Sequence, residues 1–423
     1  MQYEWLNKVA KMSPDFTFIN FYDTFNQKIT PNTLPENLTT LTFGDHFNQK
    51  IKPNTLPINL TTLTFGIYFN QKIESNSLPK NLINLTFGFY YNQKIKPNTL
   101  PENLTNLTFK WQFNQEIKPN ILPKNLTTLT FGSGFSQKIE PNTLPENLSN
   151  LTFEFYFNQK IEPNTLPKNL TNLTFGCRFD QKIDLNILPK KLTTLTFGEN
   201  FNQKIESGTL PEKLTTLTFG RKFNQKIDLN TLPKNLTTLI FGDHFDQKIE
   251  SGTLPENLIN LTFGPCFNQG IDPNTLPKNL TTLTFGKEFN QKIERNTLPE
   301  NLTTLAFGRN FNQKIDSEML PSKLKNINFN WFYFNNNDPI EHYIEMVNNI
   351  PNYYHVEIYL RKNIFGDNGP KWPIHVAYYR KNEWSPDIYE IQFTYNHSIY
   401  SSVRVLINKE TYQPYSSAKS TLK

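Results

Sequence analysis

Two cysteines in 423 residues, Cys177 and Cys266, leave no disulfide framework to hold this chain together. At one strand spacing per repeat they would stand roughly 19 Å apart, far beyond disulfide reach. Six histidines are equally sparse. His46 and His244 would lie roughly 43 Å apart by strand spacing, and His342, His355, His375 and His397 have no metal-ligand spacing. No apolar run is long enough to cross a bilayer, and the opening MQYEWLNKVAKM has no apolar h-region. Together with the scarce cysteines this points to a reducing, cytoplasmic compartment and no membrane partner; for a viral chain that compartment would be the host's. Phosphate-binding glycine motifs, HExxH and GxSxG are all absent, so the sequence offers neither a catalytic constellation nor a cofactor site, and a non-enzymatic protein is expected. A net charge of +6, read as spread along an elongated body, falls short of the basic patch that nucleic acid requires.

What is present is a period. Leu-Pro recurs every 22 residues from Leu34-Pro35 to Leu320-Pro321, fourteen times without insertion or deletion. Thirteen complete units, each like LPENLTTLTFGDHFNQKIKPNT, fill residues 34–319. A degenerate unit leads in through Ile19, Phe21 and Phe25, and a fading one leads out through Ile327, Phe329 and Tyr333. So short a unit cannot bury its own apolar face, so neighbours must stack into a continuous core.

Within a unit the apolar phases are Leu34, Leu38, Leu41, Phe43, Phe47 and Ile51. Thr40-Leu41-Thr42-Phe43 alternates with period two and reads as a short strand with Leu41 and Phe43 inward. Fifteen such strands, aligned in parallel about 4.8 Å apart, would give a body on the order of 70 Å long. Pro35 lacks a ladder donor and belongs on the irregular side of the coil. The Asn54 phase becomes Gly at Gly208 and Gly252, which marks a turn with positive φ. The Asn48 phase changes only to Ser136, Asp180 and Asp246, all with a side-chain oxygen able to accept a turn N–H. Gln49 is Gln in every copy from Gln27 to Gln313, as a stacked amide ladder would demand. The glycine phase at Gly44 tolerates Lys110 and Glu154, so positive φ is not required there. Charges follow the stack. The residue after Pro mostly alternates between Glu and Lys, and from Glu140 to Asp316 an acidic column offsets the Lys50 column. Lys52, Lys96 and Lys118 leave the early repeats more basic.

Phe-Asn-Gln-x-Ile, Leu-Pro and Leu-x-x-Leu-x-Phe at this period resemble the FNIP repeat family of amoebae and their large DNA viruses, regarded as related to leucine-rich repeats. The likeness covers about residues 12–337 and implies a curved, leucine-rich-repeat-like solenoid used for protein–protein contacts. Some family members carry an F-box before the repeats and look like substrate receptors of ubiquitin ligases. Only about eleven residues precede the first repeat here, too few for that module. Ordinary leucine-rich repeats place an asparagine after the strand where His46 and its counterparts vary, with Asn48 nearby.

The expected organisation is an N-terminal cap segment over 1–11, a mainly β solenoid with one parallel strand per repeat over 12–337, a small α+β capping domain over 338–413 and a loose tail over 414–423. In the capping domain Ile340, Tyr343, Ile344, Val347 and Ile350 have helical spacing. Alternating segments follow at Tyr354–Leu360, Ile374–Tyr378, Ile388–Tyr395 and Val403–Ile407.

Two surfaces stand out for a protein partner. The outward strand positions, taken as the concave face, are a uniform strip of Thr or Asn that includes Thr40, Thr42, Thr62, Thr64, Thr86 and Thr108. Beside it, the two variable positions after Gly44 hold aromatics, among the complete units, only in early repeats: Tyr68, Phe89, Tyr90, Trp111, Phe155 and Tyr156. Exposed aromatics at consecutive strand ends can anchor a partner, or can stack on each other for stability. The reading is a scaffold for protein–protein interaction. A ubiquitin-ligase adaptor, and carbohydrate or ice binding by the threonine lattice, are the rival functions.

Overall fold

In a computed structural model the structure describes residues 4–315 and 317–329 and the strands His355–Leu360, Ile374–Tyr379, Ile388–Tyr395 and Ser402–Asn408. The helix expected over Ile340–Ile350 and the tail from Pro414 lie outside the described residues. The chain divides into two compact units, residues 1–220 and 221–423.

Each unit is a β-solenoid with one three- or four-residue strand per 22 residues. In the first, strands from Phe18–Phe21 to Thr216–Thr218 pair in parallel, each residue facing its own copy, as Leu41 faces Leu63 and Leu195 faces Leu217. In the second, the same register runs from Thr238–Ile240 to Asn326–Phe329. All fifteen positions read as strands from Leu-x-Phe are strands. Helix among the described residues is limited to 3₁₀ segments at Glu4–Lys8 and Ser317–Met319. After Asn326–Phe329 comes a parallel partner, His355–Leu360, and the three strands after it pair antiparallel in sequence order. At the N-terminal edge Ala10–Met12 folds back antiparallel on Phe18–Phe21, and Trp5 packs 6.2 Å from Phe21. That hairpin covers a row of backbone groups that would otherwise be an open edge.

The core is a set of self-stacking columns. Leu38, Leu41 and Phe47 are fully buried, and Leu34, Phe43 and Ile51 nearly so. Phe43 and Phe47 rings lie 3.8 Å apart within a repeat, and each stacks on its copy in the next, at 5.6 Å for Phe43–Phe65 and 6.1 Å for Phe47–Phe69. The larger inter-repeat distance is that of offset stacking, the arrangement the ring quadrupoles prefer.

Turns follow the periodic residues. Leu38 N donates to Pro35 O at 3.2 Å, so Leu-Pro opens a tight turn. Thr55 N donates to Lys52 O at 3.2 Å across Asn54, whose φ is 60°. Gly208 and Gly252, at the same phase, have φ of 82° and 79°. Asn48 and Gln49 form one ladder, not two. Asn48 N and Gln49 Nε2 both donate to Asn26 Oδ1, at 2.9 and 3.0 Å, and Asp180 Oδ1 receives the same pair from Asn202 and Gln203. The acceptor expected to serve a local turn thus serves the following repeat.

The glycine phase is held by close approach. A Cβ added at Gly286 would stand 1.9 Å from Gly264 O, whereas one added at Gly270, on the exposed lysine phase, would meet nothing within 4 Å. Where Glu154 replaces this glycine the strand gains a residue, Asn150–Phe153, and Glu154 N donates to Phe131 O at 3.1 Å.

Two stability tests follow. Phe197, stacked on Phe175, Phe201 and Phe219, should cost about 3–5 kcal/mol on Phe197→Ala in denaturant unfolding. Gly286→Ala should cost about 1–3 kcal/mol through overpacking, with Gly270→Ala close to neutral. Equal effects of the two glycine substitutions would refute the close-approach account.

Candidate interaction surface

The short strands end one or two residues before the glycine phase, and the two residues after it turn out of the core before Phe47 and its copies turn back in. This is why the variable pair is exposed. Tyr68 is 46% exposed and Trp111 41%, with Phe89, Tyr90 and Tyr156 between 36% and 38%. Phe155 is half-buried. Backbone bonds fix the pair in each repeat: Tyr68 N donates to Asp45 O and Tyr90 N to Ile67 O, both at 2.9 Å.

The rings form two short stacks that meet. Tyr68 stacks on Tyr90 with centroids 5.3 Å apart and planes 6° apart, and Phe89 stacks on Trp111 at 5.6 Å and 4°. Phe89 meets Tyr90 edge-on at 5.1 Å, which joins the columns. Across the small pair Ser133-Gly134, Trp111 reaches Tyr156 edge-to-face at 6.3 Å, and Tyr156 meets Phe155 at 4.8 Å. All six aromatics named from the sequence therefore belong to one contiguous group. Gly134 has its own reason to be small, since a Cβ there would lie 2.3 Å from Trp111 O.

Two further side chains close the ends of the group, and the sequence alone assigned neither of them to it. His46 lies 5.2 Å from Tyr68, ring to ring, and the Arg178 guanidinium sits 4.6 Å over the Tyr156 ring. Only the aromatic residue types signalled the patch, so a cation over a ring face was not legible. Nearby, the Ser133 hydroxyl donates to Glu154 Oε2 at 2.7 Å, tying down the carboxylate that stands at the glycine phase.

The threonine strip has a different character. Thr40, Thr42, Thr62, Thr64, Thr86 and Thr108 are all half-buried. Where Asn takes the first position the amide is already used: Asn84 Nδ2 donates to Thr62 Oγ1 at 3.0 Å and Asn106 Nδ2 to Asn84 Oδ1 at 2.7 Å. A groove of about 870 Å³ lies beside the Leu-Pro turns, lined by Pro53, Asn54, Pro57, Ile58, Pro79 and Lys80 among others. Ile58 is the one apolar residue in an otherwise charged or polar phase and is 56% exposed.

Among the described residues no helix is long and apolar enough to cross a membrane, and no group of three or more His, Cys, Asp or Glu side chains converges as a metal site. Cys177 and Cys266 form no disulfide, and the Cys177 thiol donates to Glu199 Oε2 at 2.8 Å. The asparagine of the Asn-Leu-Thr segment links neighbouring repeats, as Asn59 Nδ2 donates to Glu36 O at 3.0 Å.

Comparison with known proteins followed the period. The sequence profile described as FNIP Repeat matches twelve overlapping windows, from 16–46 and 25–68 to 289–331, which tile residues 16–331 without a gap. The crystal structure titled CroV588, a novel circular LRR protein, from a giant virus, aligns with a TM-score of 0.72 at 44% identity. That alignment covers 81% of this chain and 55% of the other, so this chain spans about half the length of that neighbour. An internalin, InlF, from Listeria monocytogenes aligns at a TM-score of 0.45 and 17% identity, over 74% of this chain and 86% of that one, too low a similarity to bear on function. No curated protein matches the chain.

Tyr91 provides the local test. It takes the place of the core phenylalanine next to Phe89-Tyr90, is 1% exposed, and its hydroxyl has no hydrogen-bond partner in the described structure. Burial raises its phenol pKa well above the ordinary value. Tyr91→Phe, the residue found in neighbouring copies, should stabilise the chain by about 1–3 kcal/mol by relieving that unpaired hydroxyl. A lower melting temperature for Tyr91→Phe would show that the hydroxyl is satisfied.

Proposed function

The chain belongs to the FNIP repeat family, and on that premise we propose that it is a non-enzymatic scaffold that captures a protein partner through the exposed rings of its early repeats. One observation carries the proposal. Core and turn phases repeat with little change along the complete units, yet the variable pair carries aromatics from Tyr68 to Tyr156, Ser133-Gly134 excepted, and is polar or small from Cys177-Arg178 to Arg309-Asn310. Stacking for stability would be as useful in the later repeats, which fold on the same ladder without it. A contiguous exposed aromatic group is also the kind of surface from which interfaces draw their energy, about 2 kcal/mol or more per anchoring side chain.

The threonine strip supports a partner less well. It is half-buried and interrupted by Asn84, Asn106, Asn150, Asn172 and Asn260, which breaks the regular hydroxyl lattice that ice or carbohydrate binding would need.

The test is a pull-down with the full chain as bait. Tyr90→Ser combined with Trp111→Ser should abolish recovery of the partner, while Asn200→Ser with Lys222→Ser, at equivalent positions, should retain it. The aromatic pair should lower the melting temperature only modestly, since each exposed stack is worth about 0.5–1.5 kcal/mol. Undiminished capture by the aromatic double variant, or its outright unfolding, would assign the rings to structural stacking.

A further inference from the structure

The net charge of +6 is not evenly distributed. Residues 45–134, which contain most of the exposed rings, hold nine lysines against the four carboxylates Asp45, Glu74, Glu102 and Glu116, a balance of +5. Residues 135–220 hold nine basic and nine acidic residues and are neutral.

The ion pairs follow the same division. From Lys138 onward much of the lysine column pairs with the acidic column beside it, Lys182 excepted: Lys138–Glu140 at 3.4 Å, Lys160–Asp184 at 3.3 Å, and Lys226–Glu250 and Lys248–Asp272 at 2.9 Å. In the early repeats Lys52, Lys96 and Lys118 stand where those acids would be. Among the described residues, none of Lys50, Lys52, Lys72, Lys94, Lys96 and Lys118 has a carboxylate within 4.0 Å, and all are exposed. Lys110 adds one more exposed cation, at the glycine phase directly before Trp111. In-register stacking sets like charges about a strand separation apart, which repels, so the fold gains nothing from leaving this stretch uncompensated.

We infer that the partner of this surface is an acidic polypeptide bearing aromatic or apolar side chains. The inference rests on the aromatic-patch reading above and adds the partner's chemistry. Unpaired cations attract an acidic chain over about a Debye length and speed its encounter; desolvated rings then hold it. Ring geometry separates this occupant from the other polyanion, nucleic acid. Single strands bind by stacking bases on open aromatic faces. Here several of the faces are engaged within the group: Tyr68 lies against Tyr90 and His46, Phe89 stacks on Trp111, Trp111 and Tyr156 meet edge to face, and the Arg178 guanidinium sits over Tyr156. Ring edges carry the positive end of the quadrupole and suit carbonyl and carboxylate oxygens.

The experiment titrates the full chain with a Glu-Tyr copolymer, with polyglutamate and with oligouridylate. The copolymer should bind tightest, and its affinity should fall as salt rises. Lys72→Glu with Lys94→Glu should weaken copolymer binding about tenfold or more. The matched reversal in the neutral stretch, Lys160→Glu with Lys182→Glu, should change it about twofold or less. Tyr90→Ser with Trp111→Ser should remove the copolymer's advantage over polyglutamate. Tighter binding of oligouridylate, or equal loss from the two charge reversals, overturns the inference. If the aromatic variant loses the copolymer while Lys72→Glu/Lys94→Glu keeps it, the acidic partner is wrong and the patch survives. If the aromatic variant binds like wild type, the patch reading fails and this inference with it.

Discussion

In-register parallel pairing sets every side chain beside its own copy, about 4.8 Å away across the strands. A residue type survives in such a column only if it tolerates itself. Leucine and phenylalanine do, because dispersion and offset stacking are favourable between identical groups. Asparagine and glutamine do, because an amide carries both donor and acceptor. Hydroxyls do as well when they lean on a carbonyl, as Thr61 Oγ1 does on Thr39 O at 3.1 Å. Lysine does not. The later repeats resolve this with an acidic column two residues further on, and the pairs formed there are half-exposed and so worth about 1 kcal/mol or less each.

Backbone packing between repeats is subject to the same constraint. At the glycine phase successive chains approach until a Cβ would overlap the carbonyl of the preceding copy. Glu154 stands where the strand pairing itself changes, as the added bond from Glu154 N to Phe131 O indicates, and Lys110 occupies the same phase two repeats earlier. Those departures fall on either side of Ser133-Gly134, within the aromatic group. The array is least regular in the repeats where its exposed surface is most distinctive.

Much of this was legible from periodicity. Strand positions, the six core phases and the left-handed turn at Asn54 could be read because each depends on one residue type recurring at one phase. The Asn48 phase was read less completely. Its oxygen was assigned to a local turn, whereas it binds Asn70 N and Gln71 Nε2 of the next repeat. A period of 22 identifies which residues are equivalent, but it carries no information on which unlike phases meet across the boundary between repeats. The aromatic patch was legible as residue types at one phase. Its continuity across the Ser133-Gly134 gap was not, because that depends on side-chain reach.

The sequence by itself determined the period, the parallel register it forces, the buried columns and the turn conformations, since all are consequences of self-pairing along a repeated chain. Only the tertiary structure decided which exposed rings stack, which faces remain open and which lysines find a carboxylate. Those outcomes turn on a few ångströms of side-chain placement between neighbouring repeats, and residues at the same phase, Lys50 and Lys160, meet different neighbours there.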